Sequence, residues 1–226
     1  FSHDYYLGEW EVTQAQYKAI VGKNPSWFSH PAGRKDIGNL VGENTDNFPT
    51  EQVSWAEAKE YCDQLTNKFK ERGYVFRLPT EAEWEKAARG SLEGKRFSWG
   101  DTVSHSQANY KSSSTLDYDL SGALNDFHPN YAAGATPYTS PVGSFSVNGY
   151  GLYDMMGNVF EWCWDRYGSY DSLSEINPRG ATSGSYRVFR GGNFDSTAYY
   201  MRTAQRNPAN NSAGSSIGVG LRVARS

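Results

Sequence analysis

Cysteine and long apolar runs are scarce in this sequence, and each shortage excludes a class of protein. The two cysteines, Cys62 and Cys163, are too few for a disulfide framework or a four-thiolate zinc site. One disulfide and two buried free thiols both fit this count. We favour free thiols because Cys62 falls on the apolar stripe of a predicted helix. No apolar run approaches the roughly 18 residues of a membrane-spanning helix.

A secretory leader and an excess of basic residues are also lacking. The chain opens on Phe1 with neither Met nor a leader pattern, so we expect an upstream signal or lipid anchor. Lys and Arg number 22 against 25 Asp and Glu, a net charge of -3, which argues against a nucleic-acid partner. Aromatic residues are abundant at 15%, which argues against disorder.

Three capping boxes predict where helices begin. In each, Ser or Thr is followed three residues later by Glu or Gln. The boxes are Thr13 with Gln16, Ser54 with Glu57, and Thr80 with Glu83. Apolar residues recur at helical spacing after Ser54, and glycines are expected to end the second and third helices at Gly73 and Gly90.

Helical periodicity stops after Ser91, and residues 101–150 are rich in Ser, Asn, Gly and Pro. We predict long irregular loops there, followed by short strands. The predicted strands are Pro141–Phe145, Val159–Trp164, Tyr186–Arg190 and Leu221–Ala224. With no repeat and no linker, residues 1–226 are interpreted as one α+β domain.

The usual catalytic motifs are missing from the chain. It has no GxSxG elbow, no P-loop and no HExxH. The histidines share no ligand spacing, so we expect each in a surface or loop position. They are His3, His30, His105 and His128. Glu81, Glu83 and Glu85 alternate along a helix, so neighbouring members point apart and cannot share a substrate.

An oxygen-rich loop, residues 151–162, is a candidate site for a hard cation. Asp154 and Glu161 supply carboxylates, and the glycines of the loop let backbone carbonyls approach. A calcium ion held by these two residues and the carbonyls of Gly157 and Val159 is chemically sensible. The alternative is that Asp154 and Asn158 only stabilise turns.

Eight motifs in one order resemble the formylglycine-generating enzyme (sulfatase-modifying factor) domain family. The resemblance runs from about residue 8 to residue 226, nearly the whole chain. No single motif is decisive, but the ordered set is specific. The motifs are Glu11–Tyr17, Pro49–Trp55, Arg77–Trp84, Phe97–Gly100, Pro141–Ser144, Asn148–Trp162, Arg190–Gly192, and Gly218 with Arg222.

This resemblance implies a single domain related to the C-type lectin fold, with little regular secondary structure. It also implies that the loop with Asp154, Gly157, Val159 and Glu161 binds calcium. A second calcium site is implied in the loop of Asn109 and Tyr110, although its other ligands fall where this sequence departs from the family pattern.

One departure bears directly on function. Enzymes of the family hold Cu(I) with a cysteine pair after the Arg-Gly-Gly motif, because this soft ion prefers thiolates. The corresponding positions here fall at or near Ser196 and Met201, and neither side chain can replace a thiolate. The histidine cluster of the iron-dependent relatives is missing too. We therefore expect no copper and no catalysis. The alternatives are an oxidase or another enzyme of the family, and a constant partner-binding role.

The C-terminal region, residues 190–226, has the composition of an adaptable binding surface. It is crowded with Tyr, Ser, Gly and Asn, which supply rigid contact area and flexible hydrogen bonding. Randomising the first two bases of the asparagine codon AAY yields such residues, but never Met or Gln. Met201 and Gln205 are therefore predicted to be scaffold. This pattern resembles the variable proteins that retroelements diversify on a C-type-lectin-like scaffold.

That second resemblance implies a non-catalytic protein displayed on a cell surface, monomeric, whose ligand is a surface protein or glycan. A constant frame is expected at Arg190, Gly191, Gly192, Ile217, Gly218 and Arg222. The predicted variable, ligand-binding residues are Asp195, Ser196, Thr197, Tyr199, Tyr200, Asn207, Ala209, Asn210, Asn211, Ala213, Gly214 and Ser215.

Overall fold

The helices begin where the capping boxes predict. In the computed structural model, which describes residues 4–29, 40, 43–122, 126–170, 176–210 and 216–226, each box makes both of its reciprocal hydrogen bonds. The helices are α1 (Gln14–Val21), α2 (Trp55–Lys68) and α3 (Glu81–Arg89). A short 3₁₀ helix, Lys70–Arg72, separates α2 from Gly73. No helix among the described residues is both long and apolar enough to cross a bilayer.

Nine short strands form three small sheets within the described residues. The largest sheet has the order β7-β6-β5-β8, with β8 parallel to β5 and the other pairs antiparallel. A second sheet, β1-β9-β2, joins the two ends of the chain, and β3 and β4 form a hairpin. The strands are β1 (Tyr6–Leu7), β2 (Phe76–Arg77), β3 (Ala132–Ala133), β4 (Thr136–Pro137), β5 (Phe160–Arg166), β6 (Tyr186–Arg190), β7 (Asn207–Asn210), β8 (Val219–Gly220) and β9 (Ala224–Arg225).

The strand predictions meet mixed outcomes. Strand β6 has the predicted bounds, and β5 extends two residues beyond the predicted end. The last predicted strand is wrong in position, because pairing occurs at β8 and β9 instead. The prediction for Pro141–Phe145 is wrong: the backbone turns at residues 142–143, and the N–H of Gly143 donates to the Asp154 carboxylate. The long irregular loops are confirmed, interrupted only by β3 and β4 in the described part of residues 101–150.

Two apolar clusters lie beneath these elements. One surrounds Trp84 on α3 and includes Met201 and Cys163. The other joins the helices α1 and α2 to the largest sheet through Trp162, and it contains Cys62. Both cysteines are buried and free, as predicted. Burial raises the pKa of the Cys62 thiol to about 12, so this thiol stays protonated and chemically inert.

Candidate ligand-binding site

Residues 193–205 form a series of turns fastened to the core by their buried side chains. Phe194, Ala198 and Met201 are almost fully buried, and they recur at intervals of four and three residues. Met201 and Ala198 pack in the Trp84 cluster. Phe194 packs edge-on against Phe28 with ring centroids 5.3 Å apart. Between these anchors, the side chains of Asp195, Tyr199 and Tyr200 face outward.

Two of the predicted ligand-binding residues are large and exposed. Tyr199 and Tyr200 each leave 43% of their surface accessible. Their rings pack edge to face with centroids 5.3 Å apart. Asp195 is also exposed, whereas Ser196 and Thr197 are half-buried. Two adjacent exposed tyrosines on a fastened loop are typical anchors of a binding surface.

The remaining predicted ligand-binding residues do not join this surface. Asn207 and Ala209 are buried on β7, so the expectation that both are exposed is wrong. Ala209 packs in the cluster around Trp162, because β7 pairs along its whole length with β6. The side chain of Asn210 lies outside the described residues, as do Asn211, Ala213, Gly214 and Ser215.

Ser196 and Met201, at or near which the family resemblance implies two cysteines, have structural roles here. The Ser196 hydroxyl donates to Asn193 Oδ1 at 2.6 Å. Met201 is fully buried and fills space next to Gly192, which has φ +77° and whose added Cβ would lie 2.6 Å from Met201 Cγ. These positions therefore hold a hydroxyl in a turn and a thioether in the core.

A fully buried arginine fastens the end of this loop. The Arg190 guanidinium donates from Nη2 to Glu85 Oε2 at 2.5 Å and to the Thr203 carbonyl at 2.8 Å. Its Nη1 donates to the Gln205 carbonyl. Because a buried charge must be paired and hydrogen-bonded, these contacts hold the loop end to α3.

The neighbouring acidic residues of α3 point apart as expected, but Glu81 and Glu85 converge on one arginine. Glu83 caps its own helix and forms an ion pair with Arg77. Its side chain therefore points away from Glu81 and Glu85. Glu81 and Glu85, one turn apart, both face Arg190 at 3.6 and 2.5 Å. Glu81 also binds Arg206 with both oxygens. The carboxylates of α3 therefore form ion pairs with the C-terminal region.

Sequence reasoning missed three side chains beside the exposed tyrosines. The Arg202 guanidinium lies over the Tyr199 ring, 3.9 Å from its centroid. The Arg96 guanidinium lies over the Tyr118 ring at 4.2 Å. We call Arg96, Tyr118, Tyr199, Tyr200 and Arg202 the tyrosine face. Arg202 follows Met201 directly, but no sequence signal points to the two residues from outside the C-terminal region.

The loop predicted to bind calcium is built around a glycine and an asparagine. Gly157 has φ +84°, and an added Cβ would lie 2.4 Å from the Asn109 carbonyl oxygen, so only glycine fits. The Asn158 side chain accepts from Ser140 N–H and donates to Ser140 carbonyl. Its own N–H donates to the Asn109 carbonyl. The turn-stabilising role considered for Asn158 is therefore present.

Buried carboxylates without partners lie beside this loop. Asp154 accepts from Gly143 through Oδ2, while its Oδ1 and both carboxylate oxygens of Glu11 have no partner among the described residues. Burial raises the pKa of Asp154 to about 6. Burial and the Asp154 charge raise the pKa of Glu11 well above its ordinary value. These unpartnered oxygens are the donor type that a hard cation prefers.

Glu161 is already engaged by other groups. Arg222 donates to both of its oxygens at 2.7 to 3.0 Å, and Trp84 Nε1 donates at 2.6 Å. Within the described ranges, no group of three or more His, Cys, Asp or Glu side chains is arranged to hold a metal ion. A calcium ion here would therefore depend on Asp154, Glu11 and backbone carbonyls more than on Glu161.

Asn109, from the loop implied as a second calcium site, is nearly fully buried. Its Nδ2 donates to the Tyr138 carbonyl at 2.9 Å, and its Oδ1 has no partner in the described part of the chain. The neighbouring Tyr110 donates its hydroxyl to Asp119. Asn109 thus offers one free oxygen.

His105 and His128 lie in loops, as expected, but the two residues meet. The rings of His105 and His128 are 5.2 Å apart. His128 is buried, its Nε2 donates to the His105 carbonyl at 2.8 Å, and its Nδ1 accepts from Asn130. Only a neutral imidazole satisfies both contacts, which gives His128 a structural role. His3 and His30 lie outside the described residues.

Comparison with known sequences agrees with the motif analysis. The profile of the family described as sulfatase-modifying factor enzyme 1-like domain matches residues 1–226. The formylglycine-generating enzyme of Streptomyces coelicolor is 36% identical over 204 residues, covering 88% of this chain and 57% of that protein. The enzyme of the same name from Mus musculus is 34% identical over 206 residues, covering 89% and 49%. The chain spans about half the length of these curated relatives.

Solved structures with a similar fold include a variable protein. Treponema denticola variable protein 1 has a TM-score of 0.73 and 29% identity, covering 97% of this chain and 84% of that chain. PvdO from Pseudomonas aeruginosa has a TM-score of 0.69 and 25% identity, covering 100% and 81%. These likenesses confirm the predicted fold class and both resemblances drawn from the motifs.

Proposed function

Because the chain belongs to the sulfatase-modifying factor enzyme 1-like domain family but lacks its thiol pair, we propose that it binds a ligand without catalysis. The site is the tyrosine face. Residues 190–226 form the variable region, in the manner of proteins diversified by retroelements. The protein is displayed on a cell surface, and its ligand is a surface protein or glycan.

The observation that carries this proposal is the contrast within residues 194–201. Phe194, Ala198 and Met201 are buried, while Tyr199 and Tyr200 are exposed. Substitution at the exposed positions leaves the core unchanged, so the surface can vary without loss of the fold. The likeness to Treponema denticola variable protein 1 at a TM-score of 0.73 supports the same interpretation.

Comparison of gene copies from several isolates tests the variable region. We expect substitutions to concentrate at Asp195, Ser196, Thr197, Tyr199 and Tyr200, and to be consistent with AAY randomisation. The buried residues between them should stay constant, and so should Asn207 and Ala209. Substitutions distributed evenly over buried and exposed positions would contradict the variable-region proposal.

An enzymatic role is the second candidate, favoured by curated relatives at 34% and 36% identity that are named formylglycine-generating enzymes. Incubation with copper, oxygen and a CxPxR peptide tests it directly. We expect no conversion of the peptide cysteine, because Ser196 and Met201 cannot act as thiolates. Measurable conversion would replace the binding proposal with the enzymatic one.

We also propose that a calcium ion binds beside Asp154. The unpartnered oxygens of Asp154 and Glu11, with nearby carbonyls such as those of Gly157 and Val159, suit an oxygen-seeking cation. Its charge would offset the negative charge of Glu11, Asp154 and Glu161, which outnumber the one nearby buried cation, Arg222. Asn109, with one free oxygen, is the candidate ligand of a second ion.

Thermal unfolding in calcium or in chelator tests the first ion. We expect calcium to raise the melting temperature of the wild type, since an ion that binds only the folded state stabilises it. Asp154→Asn should abolish that response, whereas Asp63→Asn, at an exposed carboxylate on α2, should keep it. Equal melting temperatures in calcium and chelator would contradict the proposal.

A further inference from the structure

We propose that Arg96 and Arg202 form a fixed subsite for a carboxylate group of a protein ligand. The inference rests on the proposed function, because it names the chemistry of a ligand that the tyrosine face would bind. It goes further in assigning recognition to Arg96 and Tyr118, which lie outside residues 190–226.

Both guanidiniums lack an acidic partner. In the part of the chain that the structure describes, no carboxylate lies within ion-pair distance of Arg96 or Arg202. Arg96 Nη1 donates to the backbone carbonyl of Asp101 at 2.7 Å. The Asp101 carboxylate binds Lys95 instead, at 2.7 Å. The two arginine charges are therefore available to an acidic group from outside.

Each of these guanidiniums stacks on an aromatic ring. Arg96 lies on Tyr118 and Arg202 on Tyr199, at 4.2 and 3.9 Å from the ring centroids. Burial raises the pKa of the Tyr118 hydroxyl, and the charges of Arg202 and Arg96 oppose the rise, which places both cations near this ring. Stacking fixes the plane of a guanidinium and leaves its edge N–H groups able to pair with a carboxylate.

Both arginines line a cleft of about 310 Å³, and its charged residues are mostly basic. Its lining residues are Gly94, Lys95, Arg96, Asp101, Arg202, Thr203 and Ala204. Thr203 ties its walls together, because its N–H donates to the Arg96 carbonyl at 2.9 Å and its hydroxyl to the Lys95 carbonyl at 3.1 Å. Arg202 is itself held by the Tyr199 carbonyl and by Gln205. The cations are thus held in place before any ligand arrives.

The residue types favour a protein ligand. Tyrosine and arginine dominate the energetic centres of protein interfaces, and a guanidinium pairs with the carboxylate of Asp or Glu through two hydrogen bonds. Arg96 and Tyr118 lie outside the variable region, so this half of the subsite would stay the same in every variant of the protein. The tyrosines would then refine the choice among acidic partners.

Binding of a blocked peptide of alternating glycine and glutamate tests the subsite, with heparin as the glycan arm. We expect the wild type to bind the peptide, and both Arg96→Gln and Arg202→Gln to weaken binding about fivefold or more. Arg72→Gln is the matched control: Arg72 is exposed, stacks on Phe69 and carries the same charge. It should change the affinity by less than about twofold, since distant exposed charges are screened.

The outcomes separate the two proposals. If Tyr199→Ala with Tyr200→Ala abolishes binding while both arginine variants bind normally, the subsite is overturned and the proposed function stands. If the tyrosine variant binds normally, the proposed function fails and the subsite with it. Equal weakening by Arg72→Gln, no binding by the wild type, or arginine-dependent binding of heparin in preference to the peptide would each overturn the subsite.

Discussion

The two fully buried arginines, Arg190 and Arg222, organise two regions that differ in how much change they tolerate. Arg222 binds Glu161, whose carboxylate is itself buried. Arg190 binds Glu85, whose side chain is 25% exposed. Arg222 therefore belongs to an ion pair that is buried on both sides. Arg190 belongs to an ion pair whose carboxylate is partly open to solvent.

The neighbourhoods of these arginines show the same difference. Arg222 also donates to the carbonyls of Gly8 and Tyr153, and so joins segments from across the chain. Arg190 joins the end of the loop that carries the exposed tyrosines to Glu81 and Glu85 of α3. We therefore expect tolerance to substitution to depend on whether the groups around each buried arginine are themselves buried or open to solvent.

Removing Arg222 should have the largest effect. Arg222→Met leaves the Glu161 carboxylate buried and unpaired, and should lower the free energy of unfolding by about 4 kcal/mol. Arg190→Met should cost less, about 2 kcal/mol, because water can reach Glu85. Urea unfolding measures both. Arg89→Met, which removes the half-buried second partner of Glu85, is the control and should cost less than about 1 kcal/mol. Equal losses for the two buried arginines would remove the distinction.

A buried carboxyl, Glu51, gives a pH-dependent test of the packing around Phe194. Glu51 accepts the N–H of Phe28, which packs on Phe194, and burial raises the pKa of Glu51 to about 8. The unfolded chain ionises this group near its ordinary value, so the folded state loses stability as pH rises from about 4.5 to about 8. Glu51→Gln should be more stable than wild type by several kcal/mol above pH 8 and similar to it below pH 4. Thermal unfolding of both proteins across this pH range measures the difference in stability. A difference that does not change with pH would contradict the raised pKa of Glu51.

Substitution of two glycines can distinguish the cost of backbone strain from the cost of close packing. Gly192→Ala places a Cβ against Met201 as well as at positive φ, and should cost about 2 kcal/mol. Gly22 has a similar φ of +83° with open space around it, so Gly22→Ala should cost about 1 kcal/mol. Denaturant unfolding of the two variants isolates the clash. Equal costs would mean that Met201 moves aside freely.

The smallest effects are expected on the tyrosine face itself. Tyr199→Ala and Tyr200→Ala should each change the free energy of unfolding by less than about 0.5 kcal/mol, because both side chains are exposed. Phe194→Ala, in the same loop but buried, should cost about 3 kcal/mol. The same urea titrations measure all three variants. A tyrosine variant as unstable as the phenylalanine one would show that the face is part of the core.

Local hydrogen bonding made the helices readable from sequence. Each capping box closes within three residues, so Ser54 and Thr80 mark helix starts without reference to the rest of the chain. Strand β6 was equally readable, since its apolar run is short and bounded by turns. The segment Pro141–Phe145 was not, because the Asp154 carboxylate, distant in sequence, holds its turn.

The candidate site was readable only in part, for a related reason. Composition identified Tyr199 and Tyr200, but it could not separate them from Asn207 and Ala209, which have residue types equally suited to a binding surface. Burial on β7 depends on pairing with β6, which composition does not record.

The sequence by itself determined the family, the helix starts and the absence of thiols after Arg190-Gly191-Gly192, because these depend on residue identity and short-range contacts. Only the tertiary structure decided which side chains of residues 193–209 reach solvent, which carboxylate each buried arginine binds, and that Arg96 and Tyr118 lie beside Arg202. Burial and charge pairing join segments about a hundred residues apart, and no local pattern encodes the distance between them.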